Sequence, residues 1–218
     1  MVKTWSPDNP KAALMARKRA AIVAAARDAF LLTGYGGASV NRIADDAGVS
    51  IKTLYRHFES KDELFAAVMR AACDMSSGAD VTQPPRWYGL HPTKGLVEAG
   101  KEHLGHLVSS DHLALYRVVV RDVSRDPELG QVYLAESNAR RDATLDGYLE
   151  LWSDRCGWNA VDSHLAAETF AGMLKAGVFE PAVLGLHVPT VSEIGRHAEH
   201  SAACLMRLLD SGSLSRPG

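Results

Sequence analysis

The stretch "SVNRIADDAGVSIKTLYRHF", Ser39 to Phe58, holds two helical segments of at most about two turns each with a forced break between them. Val40, Ile43, Ala44 and Ala47 recur at the three- and four-residue spacing of one helix face. Gly48 accepts the left-handed backbone that ends a helix in a tight turn. Ser50 stands where a hydroxyl caps the next segment, Ile51 to Phe58, whose inward side needs only Leu54 and Phe58. Two short helices joined through Ala47-Gly48-Val49-Ser50 make a helix-turn-helix. Apart from Ile51, the residues outside that inward side are Lys52, Thr53, Tyr55, Arg56 and His57.

The rest of the chain also reads as helical. Ile22, Ala25, Ala26, Ala29 and Phe30 form one apolar face on a first helix that spans about 11–33 and ends at Thr33-Gly34-Tyr35-Gly36-Gly37. Ser60-Lys61-Asp62-Glu63 has the form of a capping box and opens a fourth helix through about Met75, which buries Leu64, Phe65, Val68 and Met69. Ser76-Ser77-Gly78 and Pro84-Pro85 then interrupt the pattern. A domain boundary is expected around 75–92, with residues 1–75 in one domain and 76–218 in another. Further helices are expected at about 93–109, 111–123, 126–153, 160–184 and 190–210. No convincing period-2 segment occurs, so the fold class is all-α.

The charges separate by domain. Residues 1–70 hold 11 Lys and Arg against 7 Asp and Glu, a net +4. Residues 71–218 hold 13 against 19, a net −6, which gives the chain its −2. A basic front on an acidic body points the front at a polyanion. At the start of the second short helix, Lys52 can donate to guanine O6 and N7, and the Thr53 methyl can meet a thymine methyl. Tyr55, His57 and Lys61 have the reach for phosphates. Ser39 and the free amides at the start of the first short helix suit a phosphate too, and Ser50 joins the candidate DNA-binding residues. Lys18 and Arg19 can add backbone or minor-groove contacts.

With these residues in view, about 17–66 closely resembles the DNA-binding domain of the TetR family of transcriptional regulators. The resemblance rests on the Gly48–Ser50 turn, on Thr53-Leu54-Tyr55 followed by His57-Phe58, and on Ser60-Lys61-Asp62 followed by Leu64. It implies an all-helical homodimer with an N-terminal three-helix reading domain and a larger ligand-binding and dimerisation domain. Such a protein represses transcription and releases double-stranded operator DNA when a small effector binds. By motif position, Thr53, Tyr55, His57 and Lys61 match DNA-contacting positions. Lys52 stands where the family varies, so its base preference is not implied. The stretch "LALYRVVVRDVSRDPELGQVYLAE" resembles a C-terminal domain type found in one subset of these regulators.

An apolar effector pocket is expected among the middle helices, walled by Trp87, His103, Leu107, Tyr116, Val120, Tyr148, Trp152, Phe170 and Met173, although most of these residues would be core in any bundle. The dimer is expected to form through the last two long helices. One offers Val191, Ile194, Ala198, Ala202, Leu205 and Leu209, and the other Leu165, Thr169, Gly172, Met173 and Ala176. The alternative is that these faces close the monomer core. His103, His106 and His112, the pair His197 and His200, and the scattered Cys73, Cys156 and Cys204 keep a metal- or redox-responsive repressor open as an alternative. No cofactor is implied. An enzyme finds no paired nucleophile and base. An architectural DNA binder would leave the large acidic body without a purpose. The N-terminus lacks a secretory apolar region and no run of about 18 apolar residues occurs, so a cytoplasmic protein without a membrane span is expected.

Overall fold

The computed structural model describes residues 10–75, 84–158 and 160–215, and of these the side chains of 10, 73–75 and 138–143 are left aside. Among the described residues all regular structure is helical, apart from an isolated antiparallel bridge between Val161 and Ser215. No described helix is long and apolar enough to cross a membrane.

The described residues within Met1–Ala71 and Ala114–Leu134 form one compact unit, and those within Ala72–Leu113 and Ala135–Gly218 form another. The first unit starts with α1 (Pro10–Gly37), α2 (Val40–Asp46), α3 (Ile51–His57) and most of α4 (Lys61–Met75). Ile22, Ala26 and Phe30 of α1 are buried with Ile43 and Ala44 of α2, Leu54 of α3, Phe58, and Leu64, Phe65, Val68 and Met69 of α4. Tyr35 completes an aromatic trio whose ring centroids lie 5.6 Å from Phe30 and 5.5 Å from Phe65, with Phe30 and Phe65 5.3 Å apart. In the box at the start of α4, Ser60 Oγ accepts the Glu63 N–H, but the Glu63 carboxylate takes the amide of Glu59 rather than that of Ser60.

The helix break at Gly34 joins distant parts of this unit. Gly34 adopts φ 80° and ψ 173°, so α1 stops propagating there and leaves the next amides without intrahelical partners. Asp122 ends α6 (Ser110–Asp122), and its Oδ2 accepts the Tyr35 N–H at 2.6 Å. Bonds from Arg121, then from the Tyr35 and Gly36 amides, hold the Asp122 carboxyl below its usual range. A carboxylate 87 residues away thus caps the kink. The end of α6 and the start of α7 (Pro127–Cys156) therefore belong to the first unit.

The second unit is built on α5 (Pro92–Leu107), α8 (Ser163–Lys175) and α10 (Val191–Asp210), with α10 packed on α5 and α8, and with α9 (Phe179–Val183) between the last two long helices. Gly100 permits close packing here: a Cβ at that position would lie 3.1–3.2 Å from Ala198, Leu174 and Phe170. The expected single helix over 160–184 is two helices. Ala176 leaves the helical region and Gly177 takes φ 72°. The full capping box at Thr190 and Glu193 forms as its sequence directs.

The expected dimer stripe on the last helix needs correction. Ala198, Ala202, Leu205 and Leu209 are buried in the chain's own core, in one cluster with Leu96, Phe170 and Leu174. Spacing alone cannot tell a core face from an interface face. A charge at Leu205 would break this core before it touched any dimer. Exposed residues include Leu165, Glu168 and Gly172 on α8, Ala176 at its C-cap, and Val191, Arg196, Glu199, His200, Ala203 and Arg207 on α10.

His112 on α6 is fully buried, its ring 4.8 Å from that of His106. Burial, followed by the fields of His106 and Lys175, lowers its pKa to about 3. The unfolded chain takes up a proton near pH 6.5 that the folded chain refuses. Stability is therefore whole above about 6.5 and declines as pH falls towards 3, by about 1.4 kcal/mol per unit. Urea titrations between pH 7.5 and 4.5 should show His112→Gln with a shallower acid decline by close to one proton. Equal slopes in the two proteins would reject this account.

Candidate nucleic-acid interface

The α2–α3 pair presents a short helix by its solvent side. Gly48, at φ 65°, makes the turn, with open space around it. Ser50 caps α3: its Oγ accepts the Thr53 N–H at 3.2 Å and lies 2.9 Å from the Thr53 hydroxyl. Leu54 and Phe58 anchor the helix, each 1% exposed. This anchoring leaves Lys52, Tyr55 and Arg56 in solvent, with Thr53 and His57 half-buried. Tyr55 is 52% exposed, far more than a core tyrosine would be. The Thr53 hydroxyl is engaged by the cap, so its methyl is the part left for a base.

Ser39 is exposed at the N-cap of α2 and makes no side-chain bond to its own helix, which leaves the hydroxyl available to an outside acceptor. His57 has a different environment. Its Nε2 is buried without a hydrogen-bond partner, and burial, then Arg56, Arg19 and Lys18, lower its pKa. The buried position and the Arg56, Arg19 and Lys18 charges thus disfavour a further positive charge on this ring. Lys61 is half-buried, with its ammonium 4.6 Å above the Tyr35 ring. Burial lowers its pKa, against the opposing fields of Asp126, Asp62 and Asp122. The Tyr35 hydroxyl donates to Asp62.

Two further groups frame this surface. The Arg56 Nη2 reaches the Met15 sulfur at 3.5 Å, and the Arg19 guanidinium lies 4.7 Å over the Phe58 ring. The N-terminal turns of α1 thus stand beside α3. Arg56 was visible in the sequence as part of the polar side of α3, but its partner on α1 was not. The motif gives no sign of Asp122, which acts from another part of the chain.

The residues expected to wall an effector pocket divide between the units. Tyr116 and Val120 belong to the first, where Tyr116 packs against Tyr133 at 5.3 Å and Val120 is 56% exposed. Trp87, Tyr148 and Phe170 share one buried cluster in the second, with Trp152 and Met173 packed against it. Two polar tips of this cluster are paired, Trp87 Nε1 donating to Glu102 at 3.0 Å and the Tyr148 hydroxyl to the Leu90 carbonyl at 2.8 Å, whereas Trp152 Nε1 is buried without a hydrogen-bond partner. Leu107 is buried and His103 half-buried on α5. No group of three or more His, Cys, Asp or Glu suited to a metal occurs among the described residues. Cys156 is a free thiol whose pKa is raised by burial, then by Asp210, which opposes thiolate formation. Cys204, also free, lies 3.1 Å from Arg207 Nη2, and the side chain of Cys73 is outside the described residues.

Comparison with known proteins agrees with this arrangement. Residues 22–68 match the family of bacterial regulatory proteins named for tetR. Residues 94–208 match the C-terminal domain of AefR-like transcriptional repressors. The chain is 28% identical over 132 residues to the HTH-type transcriptional repressor AcnR of Corynebacterium diphtheriae, covering 61% of this chain and 64% of that one. It is 29% identical over 130 residues to the transcriptional activator FasR of Mycolicibacterium smegmatis, covering 59% and 58%. These alignments span about three fifths of the length of the curated relatives. Among solved structures, the flavonoid-responsive regulator FrrA superposes with a TM-score of 0.70 at 26% identity, covering 88% of this chain and 96% of that one.

Proposed function

Since the chain belongs to the TetR family of bacterial transcriptional regulators, we propose that it is a dimeric repressor that reads a palindromic operator with α3 and leaves it when a small effector binds. It is a regulator and not an enzyme, as its family is. The observation that carries the DNA-reading part is the division of α3: Leu54 and Phe58 are buried, while Lys52, Tyr55 and Arg56 are exposed on a helix whose only other task is its cap. Lys52 and Thr53, at the N-terminal end, meet base edges, and Ser39, Ser50, Tyr55, His57 and Lys61 hold phosphates. Residues 1–75 serve as the reading domain and 76–218 as the effector and dimerisation domain. Selection of bound sequences from random duplex DNA tests this reading. It should return a two-fold site with half-sites about one helical turn apart or slightly more. Recovery of no shared sequence would reject it.

The dimer forms through the outward faces of α8 and α10. Leu165 is 43% exposed on α8, and a side chain built at Gly172 meets no atom within 4 Å. Gly172→Arg should therefore leave the fold intact, since arginine favours a helix over glycine. It should yield monomers and weaken operator binding about 100-fold, some 2.7 kcal/mol. Sedimentation that still finds a dimer would place the interface elsewhere.

The effector is an uncharged or weakly polar organic compound with an aromatic or lipid-like body, accommodated near Trp87, Tyr148, Trp152, Phe170 and Met173. The aromatic content of this cluster supports that class, as does a structural relative described as flavonoid-responsive. The effector must favour the DNA-free arrangement through differential affinity for the two states.

A further inference from the structure

The second unit carries a cleft of about 380 Å³ that neither DNA reading nor the aromatic cluster uses. Its apolar side is formed by Leu104 of α5, Val178 beyond α8, and Pro189 ahead of α10. Its polar side is formed by Arg196, His197 and His200 of α10, with Glu193 and His187 near the helix start. We propose that this cleft binds a small organic carboxylate with a short apolar body, head to Arg196 and body to the Leu104 side.

The polar groups differ in how far they are already committed. Glu193 closes the α10 cap: its Oε2 accepts the Thr190 N–H at 2.7 Å and the Thr190 hydroxyl at 2.9 Å, while Oε1 lies 3.4 Å from His187 Nε2. These bonds hold the carboxylate at the helix cap. His197 Nε2 lies 3.1 Å from the Met173 carbonyl, which makes it the donor and fixes the ring. Arg196 is exposed and forms no ion pair among the described residues. It is the one permanently cationic group in the lining, and a guanidinium is shaped to take a carboxylate through two parallel bonds. His200, one turn further along α10, is exposed beside it and supplies a third polar contact.

The rest of the cleft limits the body attached to that carboxylate. Leu104 is fully buried and presents a dry floor. The volume is at the small end of ligand sites, which holds the body to a handful of carbon atoms. Such an acid differs in charge from the effector of the aromatic cluster, so the two sites take different ligands.

Calorimetry on the full chain without DNA tests this directly, with hexanoate as probe, acetate as head alone and hexan-1-ol as body alone. Hexanoate should bind at least about tenfold more tightly than either fragment. Arg196→Gln should weaken hexanoate by about tenfold or more and leave hexanol unchanged, with an unaltered urea midpoint showing an intact fold. The proposal is overturned if hexanoate fails to bind up to about 20 mM, if hexanol matches it, or if Arg196→Gln binds it as well as the parent. Because no operator is present, each result is independent of the DNA-reading function.

Discussion

Gly34→Val should destabilise the DNA-reading unit by more than about 2 kcal/mol, because Gly34 is buried at the α1 kink. Two effects act together. A β-branched residue is strained at φ 80°, where glycine is not. A Cβ at this position would also lie 1.8 Å from Arg121 Nη2 and 2.7 Å from Asp122 Oδ2. The arginine end can swing away, but the Asp122 oxygen is committed to the Tyr35 amide at 2.6 Å. Displacing it strands the backbone donors just beyond the kink, and a charge-assisted bond of this kind contributes about 1.5–3 kcal/mol. Asp122→Asn keeps the oxygen and removes the charge, so it should fall between the parent and Gly34→Val in urea unfolding. A Gly34→Val midpoint within about 0.5 kcal/mol of the parent would mean that the cap contributes nothing.

The second large effect concerns DNA. Lys52→Glu reverses a charge at the start of α3, twice in the proposed dimer, and should lower operator affinity about 1000-fold at moderate salt. Because Lys52 is exposed and Tyr55 is half in solvent, Lys52→Glu and Tyr55→Ala should each leave stability within about 0.5 kcal/mol. Anisotropy titrations over a salt series separate the contributions. Tyr55→Ala should weaken all sequences alike, and the Lys52→Glu loss should shrink as salt rises. Unchanged affinity in both variants would remove α3 from the interface.

Parts of this molecule are legible in the chain because their causes are local. The α3 helix is bounded by a turn glycine and a serine cap, and its two buried residues stand four apart, so its polar side can be named from the sequence alone. The Thr190–Glu193 box is equally readable. The cap from Asp122 to the Gly34 kink is not, because nothing near either residue indicates the other 87 positions away. Ala198, Ala202, Leu205 and Leu209 are ambiguous for another reason: the same spacing serves a core and an interface, and packing against α5 decides it. The aromatic residues expected to meet an effector are recognisable as a group, yet their division between two units depends on how α6 and α7 are shared, which periodicity does not encode.

Base preference at the operator tests the central claim most directly. Affinities would be measured for every single-base substitution of the selected site, using the parent protein, Lys52→Ala and Thr53→Ala. If α3 reads the major groove, each variant loses about 1–3 kcal/mol of discrimination at one position in each half-site and keeps its preferences elsewhere. Identical preference profiles for the parent and both variants would contradict it.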